Sequence, residues 1–175
     1  FSFEMITGIS GHMGSGKSTV AQHIAEQSDF REDSFAHSLR LVMSAITSIP
    51  IEETYSVEDK NKMIPLLGIT RGRFLQDIGM LFRQYRENIW VESVQLRWMA
   101  NHKDNLLLSD VRFPNGVAFV ESNGGAVLRL ERDVIDNGDT RDKNHSSETS
   151  LDDHPFIHTI YNNGTLSELH EKVDA

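Results

Sequence analysis

The stretch Gly11-His12-Met13-Gly14-Ser15-Gly16-Lys17-Ser18, followed by Thr19, fits the pattern G-x-x-x-x-G-K-[ST] of a phosphate-binding loop. The glycines let the backbone curl until several N–H groups point at one anion. Lys17 supplies a charge for the terminal phosphates, and the Ser18 hydroxyl is placed to ligate Mg²⁺. The loop therefore predicts a nucleoside-triphosphate site, with ATP and Mg²⁺ as the bound groups.

The residues on either side of the loop support this interpretation. Met5-Ile6-Thr7-Gly8-Ile9-Ser10 is a mostly apolar run that predicts a buried strand of a parallel sheet. After Lys17, apolar residues recur at helical spacing, at Val20, Ala21, Ile24 and Ala25. A helix that begins at the loop adds the partial positive charge of its N-terminus to the site.

Composition limits the classes of protein to consider. The 175 residues are 38% hydrophobic, enough for one core, and we expect a single domain over residues 1–175. No apolar run approaches the roughly 20 residues of a membrane span, and no secretory signal pattern opens the chain. The absence of Cys is compatible with a reducing cytoplasm. A net charge of −9 argues against stable nucleic-acid binding.

Strand and helix signals alternate along the chain, which predicts an α/β fold with a mostly parallel sheet. Residues 33–36 are expected to be a short extended stretch, and the capping box Thr165-Leu166-Ser167-Glu168 is expected to open a terminal helix. The most apolar strand, Asn105-Leu106-Leu107-Leu108-Ser109-Asp110, ends in an acid. Ligands collect at the carboxyl ends of strands in such sheets, so we expect Asp110 to hold Mg²⁺ through water or to orient an attacking group. The alternative is that Asp110 only caps a helix, and that Arg112, which follows it, pairs with a surface acid.

Residues 70–86 show the clearest amphipathic helix, with Thr70 as its N-cap. At about 100° per residue, Arg73, Gln76 and Arg83 lie within an arc of about 80°. The apolar residues on the other side are expected in the core: Phe74, Leu75, Ile78, Leu81 and Phe82. The polar stripe either is solvated or grips a phosphate and a base, and periodicity alone leaves both open. For Trp90, in the next helix, core packing and ligand stacking are both open.

Two stretches lack a regular pattern. Residues 49–68 contain the charged run Glu58-Asp59-Lys60-Asn61-Lys62, which we interpret as a solvated face of a partly helical insertion without a catalytic role. Residues 131–155 are dense in polar side chains, which is typical of a functional flap or a disordered segment. Its cations are placed to close over phosphates: Arg132, Arg141, Lys143 and His145. No histidine cluster has zinc spacing and no serine nucleophile elbow occurs, so the expected metal is Mg²⁺.

Several segments together resemble the deoxynucleoside monophosphate kinases of bacteriophages, within the wider group of P-loop nucleoside monophosphate kinases. They are the phosphate loop, Ser34-Phe35-Ala36-His37-Ser38-Leu39-Arg40, Arg73-Phe74-Leu75-Gln76-Asp77-Ile78-Gly79 with Arg83, Asn88-Ile89-Trp90-Val91, Asp110-Val111-Arg112-Phe113-Pro114-Asn115, Gly124-Gly125-Ala126-Val127 with Arg129 and Arg132, His145-Ser146-Ser147-Glu148, and Asn162-Asn163-Gly164-Thr165-Leu166. In order and spacing they cover nearly the whole chain. The loop alone is generic, whereas the DVRFPN and HSSE segments are more specific.

The resemblance implies transfer of the ATP γ-phosphate to a deoxynucleoside monophosphate. It implies a three-layer α/β/α fold with a five-stranded parallel sheet of order 2-3-1-4-5, a monophosphate-binding region at roughly residues 36–100 and a lid at roughly 132–155. The implied monophosphate pocket comprises Phe35, Leu39, Arg40, Arg73, Gln76, Arg83 and Trp90. Residues 162–165, with Asn162 and Gly164, would lie near the adenine. Family members are often dimeric, so a homodimer is a possible assembly, and a phage-encoded enzyme would act in the host cytoplasm.

This chain departs from the family pattern at two places. Ser18 stands where many members carry Asp, and the segment between Pro50 and Gly68 is short, which implies a more open or differently selective acceptor pocket.

The expected mechanism is in-line phosphoryl transfer by positioning and charge neutralisation. Lys17, the loop amides and Mg²⁺ on Ser18 hold the donor, while Asp110 positions Mg²⁺ through water. The acceptor phosphate is neutralised by Arg40, Arg73 and Arg83, and Arg112 is a further phosphate contact that also lies on the substrate side. Arg132 and Arg141 of the lid are expected to stabilise charge on the transferred group.

Three alternatives stay open. One is another small-molecule kinase of this architecture, such as a dephospho-coenzyme A kinase. The second is a regulatory P-loop NTPase that acts through a protein partner, and the third is a nucleic-acid end kinase, which the acidic balance disfavours. The accepted base, modified pyrimidines included, is also open.

Overall fold

The computed structural model describes residues 4–133 and 138–175. The strands of its central sheet are β1 (Ile6–Gly11), β2 (Arg31–Asp33), β5 (Leu106–Val111), β6 (Ala126–Glu131) and β7 (His158–Tyr161). They pair in parallel in the order β2-β5-β1-β6-β7. Counted along the chain within this sheet alone, that order is 2-3-1-4-5, so the predicted topology is confirmed.

Helices cover both faces of the sheet, because successive residues of its central strands point to opposite sides and both sets are apolar. The helices are α1 (Lys17–Gln27), α2 (His37–Thr47), α3 (Val57–Asn61), α4 (Arg71–Tyr85), α5 (Ile89–Ala100), α6 (Pro114–Ser122), α7 (Ser146–Thr149) and α8 (Leu166–Asp174). On one face, Leu106 and Leu108 pack with α5 and α6. On the other face, Leu107 packs with α1 and α8. The three-layer α/β/α class is therefore confirmed.

A third, smaller core joins α2 and α4 to the insertion through Met43, Ile64 and Phe74. The insertion consists of a 3-10 turn (Ile51–Thr54), α3, and an antiparallel pair of two-residue strands, β3 (Met63–Ile64) and β4 (Ile69–Thr70). The predicted partly helical insertion is confirmed.

The helix caps agree with the sequence prediction. Thr70 caps α4 by accepting a hydrogen bond from the Arg73 amide. A complete capping box between Thr165 and Glu168 opens α8. These side chains satisfy amides that the first turn of a helix leaves without a partner.

Three features of the structure differ from the prediction: the end of β2, the exposure of two side chains on α4, and the content of the polar stretch. Strand β2 ends at Asp33, and residues 34–36 form the turn into α2 rather than extended chain. Leu81 and Phe82, predicted in the core, are 41% and 38% exposed, because the packed face of α4 is rotated toward Phe74. The polar stretch 131–155 contains α7 and, directly after it, Leu151, which is buried in the first core. Residues 134–137 of the predicted lid lie outside the described residues.

Within the two described ranges, no helix combines the length and the apolar character needed to cross a bilayer.

Candidate active site

The phosphate loop connects β1 to α1 and turns on glycines that no other residue replaces easily. Gly11 has φ +152° and Gly16 has φ +103°. A Cβ at Gly11 would lie 2.5 Å from Ser15 Oγ, and one at Gly16 would lie 2.5 Å from Asn162 Nδ2. Lys17 Nζ donates to the carbonyl oxygens of Gly11 at 2.7 Å and His12 at 2.6 Å. The lysine ammonium is thus held against its own loop, and burial followed by the Arg112 charge lowers the pKa of Lys17.

One side chain of the loop, that of Ser15, has no hydrogen-bond partner in the described part of the chain, and the side chain of Asn162 from a distant segment stabilises the loop. Ser15 Oγ is buried without a hydrogen-bond partner among the described residues, as expected of a donor that awaits an anion. Asn162 donates from Nδ2 to the Ser15 carbonyl at 2.9 Å. The position of Asn162 near the adenine stays a prediction, and this hydrogen bond shows that its side chain also holds the phosphate loop. Gly164 packs closely on the capping carboxylate of Glu168.

A cleft of about 790 Å³ opens in front of the loop. We name it the donor cleft. Its lining includes most of the predicted triphosphate residues: Met13, Gly14, Gly16, Lys17, Ser18, Thr19, Asp110, Arg112, Arg132 and Arg141. Arg132 approaches the loop itself, with Nη1 3.4 Å from the Gly14 carbonyl oxygen.

A second cavity, the acceptor cavity, lies between α2, α4 and α5. Its walls are largely apolar and aromatic, with a few polar groups, as is usual for small-molecule sites. The lining includes Phe35, Leu39, Arg40, Leu75, Gln76, Met80, Arg83, Trp90, Phe113 and Asn115. Trp90 Nε1 donates to the Gly79 carbonyl at 3.0 Å, which fixes α5 on α4. The Arg83 guanidinium lies over the Phe113 ring, 4.0 Å from its centroid.

The two cavities meet at residues that line both of them. We name this place the junction; its members are Arg40, Lys60, Asp110, Arg112 and Arg141. The members come from α2, α3, the end of β5 and residues 138–145, which are far apart in sequence. Four cations and one acid concentrate positive charge where a donor phosphate and an acceptor phosphate would approach each other.

The Asp110 carboxylate, which lines the junction, accepts hydrogen bonds from two backbone amides. Its Oδ1 accepts from the Phe35 amide at 2.7 Å and its Oδ2 from the Ala36 amide at 3.0 Å. The acid therefore holds the turn that leads into α2 and fixes the position of Phe35 in the acceptor cavity. The alternative that Asp110 caps the next helix is not realised, because the N-cap of α6 is Phe113 and no side chain caps it. Each Asp110 oxygen keeps a further lone pair.

The three polar residues predicted to share one face of α4, Arg73, Gln76 and Arg83, do not all line the acceptor cavity. Gln76 and Arg83, only about 20° apart on the helix, both line the acceptor cavity. Arg73 does not: it pairs with Asp77 at 2.7 Å and its side chain is 61% exposed, so its assignment to the pocket was wrong. It stands about 80° from Arg83, which is enough to turn it to solvent. The Gln76 amide also has an unforeseen partner, since it donates to the Asp142 carbonyl at 3.0 Å and accepts from the Asp142 amide at 3.2 Å.

Sequence reasoning missed Glu148, although it lies in the HSSE segment. Its carboxylate is buried, accepts a hydrogen bond from the Met13 amide of the phosphate loop at 3.0 Å, and pairs with Arg112. Arg112 is thereby held between the loop and the junction. No local pattern marks Glu148 as special, because its partners lie 135 and 36 residues away.

Arg141 is held in place by an ion pair, by packing against α4 and by hydrogen bonds from α3 to its segment. Its guanidinium pairs with Asp139 at 2.5 Å, and its aliphatic stem passes across Gly72 at the start of α4. Asn61 of α3 holds the same segment, donating to the Gly138 carbonyl at 2.6 Å and accepting from the Thr140 amide at 3.0 Å. Residues 138–142 are thus fastened to α3 and α4.

We expect Gly72→Ala to lower phosphoryl transfer about 100-fold while leaving the fold intact, because a displacement of about 1 Å at a reacting group costs that much. The new Cβ would lie 2.6 Å from Arg141 Cγ and 3.2 Å from the Lys60 carbonyl oxygen. Stability should fall by about 1 to 3 kcal/mol, because these contacts overpack a buried position, and the protein should stay folded. Steady-state kinetics and thermal unfolding measure the two effects. If the defect acts through Arg141, the double variant Gly72→Ala/Arg141→Ala is no slower than Arg141→Ala alone; an additive loss would contradict this.

The sheet order and the complete phosphate loop give the chain the architecture of a P-loop nucleotide-binding fold. Among curated proteins, the chain is similar to one from Acanthamoeba polyphaga mimivirus named "Putative deoxynucleotide monophosphate kinase", with 26% identity over 188 aligned residues, which cover 97% of this chain and 94% of that protein. The resemblance seen in the sequence segments is thus confirmed over nearly the full length. A second viral protein, "Uncharacterized protein ORF77" of Ictalurid herpesvirus 1 (strain Auburn), is 29% identical over 58% of this chain and 46% of its own length.

No family model matches the chain. Among solved structures, a dephospho-CoA kinase from Campylobacter jejuni has a TM-score of 0.47 at 14% identity, covering 97% of this chain and 93% of its own. A gluconokinase from Sinorhizobium meliloti 1021 has a TM-score of 0.47 at 13% identity, covering 98% and 90%.

Proposed function

We propose that this protein transfers the γ-phosphate of ATP to a deoxynucleoside 5′-monophosphate, giving a deoxynucleoside diphosphate and ADP. The observation that carries the proposal is the junction: a phosphate-loop cleft and a largely apolar and aromatic cavity share a wall that contains four cations. Two polyanions repel each other, and such a wall is what a reaction between them requires. The viral relative named for this activity supports the proposal.

On the donor side, the loop amides and Lys17 would hold the β- and γ-phosphates. The unpartnered Ser15 hydroxyl fits this role, since a buried donor without a partner is costly unless a ligand satisfies it. Arg132, which lines the same cleft beside Gly14, would contact the triphosphate there.

On the acceptor side, Phe35, Leu39 and Trp90 would enclose the base and sugar, with Arg83 and Asn115 as polar contacts. Arg40 would receive the 5′-phosphate. Its Nε is buried without a partner among the described residues, while Nη1 donates to the Thr54 carbonyl oxygen. The Gln76 amide makes two hydrogen bonds to the Asp142 backbone, and it would contact the base directly only after these hydrogen bonds break.

The donor set of the cleft suits Mg²⁺ that arrives with ATP. Magnesium keeps several waters and takes one or two protein oxygens beside the substrate phosphates. The Ser18 hydroxyl and the remaining lone pairs of Asp110 face the same cleft and would hold it there. Bound Mg²⁺ neutralises phosphate charge. No general base is needed, because the attacking monophosphate oxygen is already anionic at neutral pH.

The lid over roughly residues 132–155 stays a prediction: within that range α7 and Leu151 pack with the core, residues 138–142 are fastened to α3 and α4, and residues 134–137 lie outside the described residues. A host-cytoplasmic location is part of the proposal, since ATP and deoxynucleotide pools are found there. A homodimer stays a prediction.

The proposal is tested by measuring ADP formation with ATP and Mg²⁺ across a panel of acceptors. The panel contains the deoxynucleoside monophosphates, hydroxymethylated pyrimidine monophosphates, dephospho-coenzyme A and a 5′-hydroxyl oligonucleotide. We expect at least one deoxynucleoside monophosphate to raise turnover about 100-fold or more above hydrolysis without acceptor. Turnover only with dephospho-coenzyme A or only with the oligonucleotide contradicts the proposal, as does hydrolysis that no acceptor stimulates.

A further inference from the structure

Lys60 stands out among the junction cations. It belongs to the charged run that the sequence analysis interpreted as a solvated face, yet its side chain lines both the donor cleft and the acceptor cavity. Its neighbour Lys62, two residues along, behaves as that interpretation expects: it is exposed and pairs with Asp59 at 2.8 Å. The solvated-face interpretation therefore holds for Lys62 and is wrong for Lys60.

The charges around Lys60 are mainly of its own sign. Arg141 from residues 138–145, Arg40 from α2, Arg112 from the end of β5 and Lys17 from the phosphate loop all act on it or are acted on by it. Two acids lie nearby: Asp139 acts on Lys60 and already pairs with Arg141, and Asp110 lines the same junction and accepts hydrogen bonds from the Phe35 and Ala36 amides. Among the residues that the structure describes, Lys60 makes no ion pair. Burial, followed by these arginines, lowers the pKa of Lys60 to about 7.

The backbone holds Lys60 in this position from both sides. Ser56 caps α3, and the Lys60 amide donates to the Ser56 carbonyl at 3.1 Å. Asn61 fastens the helix to residues 138–140, and the Lys62 carbonyl accepts from the Arg71 amide at 2.9 Å. A preorganised cation that faces other cations is unfavourable in the free protein and becomes favourable when an anion enters between them.

We infer that Lys60 is a phosphate-binding residue that contacts the phosphoryl group where the donor and acceptor phosphates meet. The inference rests on the proposed function only in taking the junction as that meeting place. It assigns to the short insertion a direct part in the reaction: α3 delivers a cation to the transferred group and, through Asn61, fastens the segment that carries Arg141.

The test uses inorganic tripolyphosphate, which probes the phosphate sites without any nucleoside, in isothermal titration calorimetry on the full chain at pH 7. We expect Lys60→Met to weaken binding about 10-fold or more, the range of a lost charge-assisted hydrogen bond. Lys60→Arg should restore most of the affinity, and the matched control Lys62→Met should match the wild type. Wild-type affinity in a folded Lys60→Met variant would overturn the inference.

Two further readouts separate ligand binding from a merely structural role. The free Lys60→Met protein should unfold at the same or a higher temperature than the wild type below pH 7, because it lacks the unfavourable charge. This difference should shrink as pH rises from about 7 toward the ordinary lysine pKa of 10.5, where neutral Lys60 no longer burdens the wild-type fold. At pH 8, wild type should take up more protons on binding tripolyphosphate than Lys60→Arg does, measured in buffers of different ionisation enthalpy. Equal uptake together with a destabilised Lys60→Met variant would overturn the inference.

The outcome is distinguishable from that of the proposed function. If no deoxynucleoside monophosphate is phosphorylated but Lys60→Met still loses tripolyphosphate affinity, the proposed kinase activity is wrong and the assignment of Lys60 as a phosphate-binding residue is supported. If a monophosphate is phosphorylated and Lys60→Met keeps wild-type kcat, KM and tripolyphosphate affinity, the function stands and Lys60 fails.

Discussion

Replacing Lys17 by Met is expected to lower kcat/KM for phosphoryl transfer by about 1,000-fold or more, which corresponds to about 4 kcal/mol of lost transition-state stabilisation. Lys17 Nζ is held 2.7 and 2.6 Å from the carbonyl oxygens of Gly11 and His12 in a cleft that contains Ser18 and Arg112. An ammonium held in this way needs little rearrangement to meet a terminal phosphate. Steady-state kinetics with ATP and the best acceptor measures the loss.

The matched control is Lys103→Met, which removes a lysine on the exposed surface near Glu4. It should keep wild-type kinetics. Circular dichroism and thermal unfolding show whether the Lys17→Met variant is folded, which separates lost chemistry from lost structure. A folded Lys17→Met variant with wild-type kcat/KM would contradict the assignment of the donor cleft.

The second large effect is expected at the buried pair of Arg112 and Glu148. Replacing Arg112 by Met leaves the Glu148 carboxylate buried, with only 2% of its side chain exposed, and without its cation. Breaking such a pair on one side costs about 3 kcal/mol, which for a chain of this size lowers the unfolding temperature by about 6 to 12 °C. Transfer should also fall about 100-fold or more, because Arg112 lines both cavities.

A double variant separates the two consequences. Arg112→Met/Glu148→Gln removes both charges, and the glutamine oxygen can still accept from the Met13 amide. We expect its unfolding temperature to return most of the way to the wild-type value while activity stays low. Recovery of activity in the double variant, or a double variant as unstable as Arg112→Met alone, would show that the pair does not have this dual role.

Much of the fold follows from local patterns. The loop between an apolar strand and a helix places the site, and alternating signals with a run such as Asn105 to Asp110 predict a parallel sheet buried on both faces. The end of β2 was misplaced because a distant residue turns the chain: the Phe35 and Ala36 amides donate to Asp110, at the end of β5, rather than continuing the strand. The capping box at Thr165 was predictable because both partners lie within four residues.

The position of a side chain in a cavity wall was predictable where it follows from a regular helix phase or a motif, as with Arg83 and Lys17. Arg73 was misassigned because an 80° arc is wide enough to turn one end of a stripe to solvent. Lys60 and Glu148 were missed because their chemistry comes from burial beside residues distant in the chain. A charged run looks the same in sequence whether it faces water or a phosphate.

The most direct test of the central claim follows the label from γ-³²P-ATP. With Mg²⁺ and each deoxynucleoside monophosphate in turn, we predict that the radioactive phosphate appears as the β-phosphate of the deoxynucleoside diphosphate, in amounts equal to the ADP formed. Label that appears only as inorganic phosphate, whichever monophosphate is present, would contradict the claim that the two cavities serve one transfer.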